Sequence, residues 1–453
     1  MSDLLAARSQ MAMSLAFHII FAAVGIGMPL LMVIAEGQWL HTRDEAYLTL
    51  AKRWAKGTAI LFAVGAVSGT VLSFELGLLW PGFMRYAGAI IGMPFSLEGF
   101  AFFSEAIFLG IYIYGWKRVT PLIHWLSGVM VAVSGALSGV FVVTANAWMN
   151  SPTGFRLENG RPVDIDPIAA MFNPNAFQQV LHSTIASYVA TGAAVAGIHA
   201  WMLLRDRTNV FHRHALAIAL AVAGVSSLLQ PLSGHHSAQV VAEVQPLKLA
   251  AMEGQFRTEK CAPLRMGGLP DPVTEQTHLA LEVPCGLSIL AFNDPNAEVK
   301  GLDLAPPDDR PPVAIVHIAF QIMVAAGFAL AGLGVLTAFM AWRTRKPDGR
   351  RGGLPDQRWL LWLLVATSPL GFIAIEAGWT VTEVGRQPWV VYGLLRTADA
   401  VTPMPGLVVP FLTFTVLYIF LAVIVVWLLW RQVVASPATP DDETSEETRH
   451  AVA

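Results

Sequence analysis

The sequence predicts an all-α polytopic membrane protein with about nine transmembrane helices, an outer N-terminus and a cytoplasmic C-terminus. Of its 453 residues, 55% are hydrophobic and only 13% are charged, whereas soluble domains carry about 25% charged residues. Apolar runs of roughly 20 residues or more recur along the chain, and each is long enough to cross a hydrocarbon core of about 30 Å as a helix. The loops between them differ in their content of Lys and Arg, which predicts the orientation.

The spans can be placed in order along the chain. The first is predicted to be retained, because its apolar run is too long for a signal peptide and follows no basic segment. The predicted spans are residues 11–36, 58–80, 94–116, 121–148, 178–204, 213–233, 312–342, 358–382 and 407–431. They give six spans within residues 1–231, a long loop at 232–311, three spans within 312–432 and a tail at 433–453 that is expected to be disordered.

The odd-numbered loops are the basic ones, as in the third loop with Lys117 and Arg118. They are therefore predicted to be cytoplasmic, and the long loop 232–311 is predicted to lie outside. That loop holds both cysteines of the chain, Cys261 and Cys285. An outer loop faces an oxidising compartment, so a disulfide between them is expected, with two unpaired thiols as the alternative.

Ionisable side chains interrupt several of the apolar runs, where each costs on the order of 3 kcal/mol. They are His18, Glu98, Glu105, His182, Glu376 and Glu383. Singly, a histidine could hydrogen-bond a neighbouring helix, a carboxylate could be protonated and structural, and Met323 could be core packing. Together they indicate a protein that binds haem or handles protons, because His and Met are axial haem ligands and carboxylates carry protons.

Five segments resemble one family, and they do so in the same order along the chain. The run GWTVTEVGRQPW at 378–389 resembles the GWxxxExGRQPW signature of subunit I of cytochrome bd-type quinol oxidases. ARSQMAMSLAFHIIF, EGFAFFSEAIFLGIYIYGW, SGVFVVTANAWMNSPTGF and KLAAMEGQF also resemble that family. The resemblance covers residues from about 8 to about 430. It implies a haem enzyme that oxidises quinol with O2 and makes water.

The resemblance also implies the cofactors, which are a low-spin haem b, a high-spin haem b, and a haem d or a further haem b in its place. His182 and Met323 match the two axial ligands of the low-spin haem. His18 and Glu383 match axial ligands in the high-spin pair, and Glu98 matches a ligand or close polar partner there. The sequence leaves open which of these last three residues serves which high-spin haem.

Four residues match positions that surround the high-spin pair in the family. Glu98, Glu105 and Ser138 match its proton path, which is expected to start from the cytoplasm. Trp379 matches an aromatic residue near the two haems, with packing between helices as the alternative. Glu376 lies outside the matched signature, so it is either a protonated structural group or a proton carrier.

Two more pairs match the family near the outer face. Arg8 and Arg386 are expected to pair with haem propionates, with anchoring at the membrane surface as the alternative. The loop 232–311 resembles the quinol-binding loop in its short form. In it, Lys248 is expected to steady the quinol anion and Glu253 to accept a quinol proton, with ordinary surface charge as the alternative.

The sequence departs from some family members at a few positions. Gln321 stands where they carry Arg, so either the potential of the low-spin haem is lower or another Arg compensates. His235 and His236 replace a more acidic stretch, which resembles the cyanide-insensitive branch. Some members of that branch hold haem b in place of haem d, which is why the third haem is left open.

The expected partners follow from the resemblance. They are quinol, either ubiquinol or menaquinol, together with O2, a second membrane subunit and a small single-span subunit, all at the bacterial cytoplasmic membrane. No basic cluster suggests nucleic acid. Two alternatives remain from the residues alone: a proton-coupled transporter, and a b-type cytochrome subunit that only transfers electrons.

Overall fold

The computed structural model describes residues 1–343 and 357–434, and within them nine helical segments are long and apolar enough to cross a membrane. The predicted disorder of the tail falls almost entirely on residues outside this described part. In chain order the helices are α1 (Asp3–Thr42), α2 (Glu45–Leu78), α3 (Pro81–Tyr114), α4 (Pro121–Asn150), α5 (Pro167–Met171), α6 (Ala176–Arg205), α7 (Val210–Val244), α8 (Pro246–Glu253), α9 (Gly286–Phe292), α10 (Val313–Arg343), α11 (Arg358–Thr367), α12 (Leu370–Val384), α13 (Thr397–Ala400) and α14 (Val408–Val434). The fold class and the number of spans agree with the prediction.

The long helices begin where the sequence supplies capping residues. The Ser2 hydroxyl accepts a hydrogen bond from the Leu5 amide at the start of α1, and the Asp44 carboxylate caps α2 in the same way. Pro81 and Pro121 occupy the first turns of α3 and α4, where a missing N–H costs nothing. These local signals fix the helix starts more sharply than the apolar runs do.

The sixth span corrects one predicted boundary. The helix α7 continues to Val244, whereas the six-span segment was expected to end at 231. The difference arises because residues after Pro231, in the polar run GHHSAQVVAEV, remain helical beyond the apolar stretch that the prediction followed. The long loop therefore starts at Gln245 instead of 232.

The eighth span is broken into α11 and α12. The helix stops at Thr367 and restarts at Leu370, with Ser368 and Pro369 between them. A proline inside a helix removes one backbone hydrogen bond, and such breaks are tolerated in membranes where a neighbouring helix covers them. Here α6 covers the break.

Three close helix contacts hold α6 against its neighbours. A Cβ atom on Gly192 would lie 2.9 Å from the Cβ of Ala223 in α7. A Cβ on Gly197 would overlap Ser368, and one on Gly371 would overlap Ala190. Small residues that let two backbones approach are the usual means of helix association in lipid.

The loop after α7 folds into three nested antiparallel strand pairs. In chain order the strands of the protein are β1 (Arg156–Glu158), β2 (Arg161–Val163), β3 (Glu259–Lys260), β4 (Leu264–Met266), β5 (Leu269–Asp271), β6 (Gln276–His278), β7 (Leu281–Val283), β8 (Glu298–Val299), β9 (Trp389–Val391) and β10 (Leu395–Arg396). β3 pairs with β8, β4 with β7 and β5 with β6. A disulfide joins Cys261 to Cys285 at the open end of the β4–β7 pair, so the expected bond is confirmed.

Buried apolar side chains form separate clusters at the two ends of the bundle. Leu31, Leu50 and Leu216 belong to a cluster shared by α1, α2 and α7, away from the long loop. Leu249 and Val316 belong to another cluster that packs α8 and the strand-rich loop onto α10 and α12. This second cluster positions the loop residues discussed below.

Candidate functional site

Both histidines that were predicted to bind haem are oriented by a serine. His182 of α6 is hydrogen-bonded through Nδ1 to the hydroxyl of Ser233 in α7, at 3.0 Å. His18 of α1 is bonded in the same way through Nδ1 to Ser68 of α2, at 2.9 Å. A histidine that binds a metal through one ring nitrogen typically makes a hydrogen bond through the other ring nitrogen. Each ring therefore presents Nε2 as the candidate ligand atom.

A glycine packs beside three of the predicted ligand side chains. The pairs are Gly69 with His18, Gly234 with His182 and Gly378 with Met323. A Cβ at these positions would lie 3.0 Å from His18 Cε1, 3.4 Å from His182 Cε1 and 3.0 Å from Met323 Sδ. The absence of a side chain therefore lets each ligand side chain pack directly against a neighbouring helix. Two imidazoles with Nδ1 held by a serine, together with a thioether, form a donor set that fits haem.

Glu383 sits between a neutral and a charged donor at the end of α12. Its Oε1 accepts a hydrogen bond from Asn146 of α4, and its Oε2 accepts one from Arg386 at 2.6 Å. Arg386 is only 1% exposed, and its Nε and Nη1 have no hydrogen-bond partner among the described residues. Unpaired N–H groups on a buried guanidinium suit the predicted contact with an anionic propionate.

A polar bridge connects Glu383 with the predicted quinol residue Lys248. The amide of Asn150 donates to Asn146 Oδ1 at 3.2 Å, and Asn146 donates to Glu383. The Lys248 ammonium donates to Asn150 Oδ1 and, at 2.9 Å, to Gln245 Oε1. The bridge joins α8, α4 and α12, and its three amide side chains were not among the predicted site residues.

Lys248 and Glu253 lie at opposite ends of α8 and are both buried, at 3% and 1% exposure. Burial and the nearby Arg386 lower the pKa of Lys248 well below its ordinary value. Burial raises the pKa of Glu253 to about 8, and Arg265 partly opposes that rise. Such burial is inconsistent with the alternative of ordinary surface charge, and strongly shifted groups are candidates for proton transfer.

The strand-rich loop is bonded to one face of α10. Gln321 accepts a hydrogen bond from the Gly267 amide at 2.9 Å and donates to the Arg265 carbonyl at 3.0 Å. His317, one turn earlier and fully buried, is bonded to the carbonyls of Met252 and Gly267. The neutral residue at position 321 thus anchors strand β4, which carries Arg265, and Arg265 is a cation that the prediction did not include.

The predicted proton-path residues come together between α3 and α4. The Ser138 hydroxyl donates to Glu98 Oε1 at 3.1 Å. Glu105, two turns away on the same face of α3, is 5% exposed and faces Gly135, where a Cβ would lie 3.2 Å from its Oε1. Both carboxylates of α3 therefore face α4.

Three predicted residues receive little support from their surroundings. Arg8 is exposed on α1, in keeping with the alternative of surface anchoring. Trp379 is half-buried on α12, and either of its two interpretations fits that position. Glu376 is half-buried, and its Oε1 lacks a hydrogen-bond partner within residues 1–343 and 357–434, which leaves both of its interpretations open.

Two buried carboxylates were missed. Glu36 is fully buried and lies 2.7 Å from Nδ1 of His124. Glu75 is 3% exposed and accepts hydrogen bonds from Gln10 and Ser14. Both sit near the ends of apolar runs, where a carboxylate resembles an ordinary interfacial residue. Only the packing of neighbouring helices reveals their burial.

Comparison with known proteins places this arrangement in context. Residues 6–437 match the family model described as cytochrome bd terminal oxidase subunit I. The chain is 39% identical over 450 residues to the putative cytochrome bd menaquinol oxidase subunit I of Bacillus subtilis, covering 98% of this chain and 100% of that protein. It is 34% identical to the cytochrome bd ubiquinol oxidase subunit 1 of the same organism, covering 96% and 94%. It also resembles the bd oxidase structure from Geobacillus thermodenitrificans, with a TM-score of 0.89, 40% identity, and coverage of 96% and 99%.

Proposed function

The chain belongs to the cytochrome bd terminal oxidase subunit I family, and from this premise we infer that it is the subunit of a terminal quinol oxidase that reduces O2. It is a multi-pass protein of the bacterial cytoplasmic membrane. Family membership favours the oxidase over the transporter and over the electron-transfer-only cytochrome. The relatives are named for menaquinol in one case and ubiquinol in another, so the substrate is proposed here as a quinol without further choice.

The observation that carries the proposal is the pairing of two half-buried imidazoles with two serines, each ring packed beside a glycine. His182 and Met323 would hold the low-spin haem, and His18, Glu383 and Glu98 would hold or adjoin the high-spin pair. The Gln230 amide nitrogen lies 3.1 Å from His182 Nε2, so a bond to iron would replace this contact. When bound, haem supplies electron transfer at one centre and O2 reduction at the other.

The remaining groups of the chain bind anions and move protons. Arg386, already paired with Glu383, has unused N–H groups for a haem propionate. Glu105 and Glu98, with Ser138, line the interface of α3 and α4 as carriers for protons consumed in making water. We assign their supply to the cytoplasmic side, on the basis of the basic odd-numbered loops.

Quinol oxidation is assigned to the loop that starts at Gln245. Glu253 accepts a quinol proton, because a buried carboxylate with a pKa of about 8 is poised near the working pH. Lys248 steadies the negative charge that the quinol oxygen carries after it has lost its proton. The bridge through Asn150 and Asn146 keeps Lys248 in a fixed position relative to Glu383. Protons released at an outer loop and protons taken from inside would separate charge across the membrane.

The proposed cofactors and partners are more specific than the family name alone. The haems are a low-spin b, a high-spin b, and a d or a further b. A second membrane subunit completes the oxidase, and a small single-span chain is a further expected partner. Quinol and O2 are the substrates.

The test is a reduced-minus-oxidised spectrum of the purified complex with pyridine haemochrome quantification. We expect b-type signals, and their selective partial loss in His182→Ala, because only the low-spin haem loses a ligand. The matched control is His199→Ala, a buried histidine of the same helix that is bonded to His212 and not to Ser233. A complex without haem would end the oxidase proposal, and an unchanged low-spin signal in His182→Ala would remove that ligand assignment.

A further inference from the structure

A buried carboxylate outside the predicted site lies where α1, α2 and α14 meet. Glu75 of α2 is 3% exposed, and its Oε1 accepts hydrogen bonds from Gln10 Nε2 at 3.0 Å and from the Ser14 hydroxyl at 2.7 Å. Neither the proton path nor the quinol loop uses this group. A carboxylate buried among three apolar helices is costly, so its retention calls for a physical reason.

Three polar atoms around Glu75 have no hydrogen-bond partner within the described ranges: Glu75 Oε2, Gln10 Oε1 and the Tyr418 hydroxyl. All three side chains are at least nine-tenths buried. Tyr418, of α14, lies beside Ser14 and Glu75. Because buried polar atoms are nearly always paired in folded proteins, a bound polar species is expected among them.

The chemistry of the three atoms identifies that species. Two of them, the carboxylate oxygen and the amide oxygen, can only accept hydrogen bonds, whereas the tyrosine hydroxyl can donate one. A water molecule donates two hydrogen bonds and accepts at least one, so it would satisfy all three atoms together. A proton shared directly between Glu75 and Gln10 would leave the hydroxyl of Tyr418 unpaired.

The same helix faces continue from Glu75 to His18. On α1, Gln10, Ser14 and His18 are each four residues apart and therefore share a face. On α2, Ser68 is bonded to His18 and lies two turns before Glu75. Polar side chains are thus spaced along the α1–α2 interface from His18 through Ser14 to Gln10. Asp3, nearer the start of α1, is bonded to Gly406 and Leu407 where α14 begins.

We propose that Glu75, Gln10 and Tyr418 bind a water molecule, and that the row of polar side chains from His18 to Gln10 is the route by which product water leaves the neighbourhood of His18. The second part rests on the proposed function, because it assumes that O2 is reduced near His18. The first part does not, since it depends only on donors and acceptors of this chain.

The water site is tested by a cryo-EM map of the purified complex that resolves ordered waters, and by infrared difference spectra in ordinary and 18O-labelled water. We expect a density within hydrogen-bonding distance of all three atoms, and an O–H band that shifts with 18O and disappears in Glu75→Leu. Ser73→Ala, an exposed hydroxyl on the same helix, should keep the band. Direct contact between Glu75 Oε2 and Gln10 Oε1 with no intervening density would overturn the site.

The exit route is tested by turnover at saturating quinol and O2. Glu75→Leu should lower kcat several-fold with an unchanged haem spectrum and an unchanged KM for quinol, whereas Glu75→Gln, which keeps two polar atoms, should retain both the band and most of the turnover. Equal slowing in the two variants would indicate a proton carrier and would overturn the water route. Failure of the proposed function would appear separately, as a wild-type complex without haem or O2 consumption.

Discussion

The pH dependence of quinol oxidation tests the role of Glu253 most directly. Replacing this residue by Gln removes the proton acceptor while keeping its size and its ability to hydrogen-bond. The carboxyl is 1% exposed, and its Oε2 has no hydrogen-bond donor in the part of the chain that the structure describes. Burial raises its pKa to about 8, so the group is mainly protonated at neutral pH.

The sign and size of the effect follow from that pKa. Only the ionised carboxylate can accept a proton, so the rate should rise with pH until the group is fully ionised. With a pKa of about 8, roughly 1% of Glu253 is ionised at pH 6, about 10% at pH 7 and half at pH 8. We therefore expect kcat/KM for quinol to rise roughly tenfold from pH 6 to pH 7 and to level off above pH 8.

The assay is steady-state oxidation of a soluble quinol analogue between pH 5.5 and 9, corrected for its uncatalysed oxidation. Glu253→Gln should be slow and nearly independent of pH, with an unchanged haem spectrum. Glu243→Gln, an exposed carboxylate of α7, should keep the wild-type profile. A wild-type profile that is flat from pH 6 to pH 8, or the same rise in Glu253→Gln, would refute the assignment of the base.

Three further predictions concern the supports of the quinol loop. Asn150→Leu removes one hydrogen-bond acceptor of the buried Lys248 side chain, a bond worth about 0.5–1.5 kcal/mol, so kcat/KM for quinol should fall roughly 2- to 10-fold while haem content is kept; wild-type kinetics would reject the bridge. Gln321→Leu breaks two hydrogen bonds to the loop, so the backbone amides of residues 264–268 should exchange hydrogen for deuterium faster, as measured by mass spectrometry. Unchanged exchange would show that other contacts hold the loop. The double variant Cys261→Ser, Cys285→Ser removes a disulfide whose cysteines are 24 residues apart. The free energy of unfolding of the loop should fall by about 3 kcal/mol, and proteases should cleave the loop faster; a cleavage rate equal to that of the wild type would contradict this.

The fold was largely predictable because lipid demands long apolar helices, and such runs are visible in one sequence. The ends of the helices were less predictable, as α7 shows by continuing through the polar residues after Pro231. A count of apolar residues marks the part of a helix that contacts lipid, whereas a helix ends where its backbone hydrogen bonds end. Polar extensions of this kind leave no trace in such a count.

The candidate site was also only partly predictable from the sequence. Charged residues and histidines inside apolar runs were conspicuous, and the structure shows a serine hydrogen-bonded to His18 and another to His182, while their ligand role stays a prediction. Asn146 and Asn150 were missed because neutral amides are unremarkable in a single sequence, although their four-residue spacing on α4 places them on one face. Their function as a bridge depends on partners that are distant in the sequence, and no local sequence pattern predicts which residues these partners are.

The close contacts of α6 restrict how this protein can be made more thermostable. Exchanging a helical glycine for alanine commonly gains up to about 1 kcal/mol, because alanine restricts the unfolded chain. At Gly192, Gly197 and Gly371 the added methyl would push apart helices that meet backbone to backbone, so the same exchange should lower the melting temperature. At Gly57 and Gly110 an added Cβ would meet no other part of residues 1–343 and 357–434 within 4 Å outside its own helical turn, so stabilising substitutions should begin there.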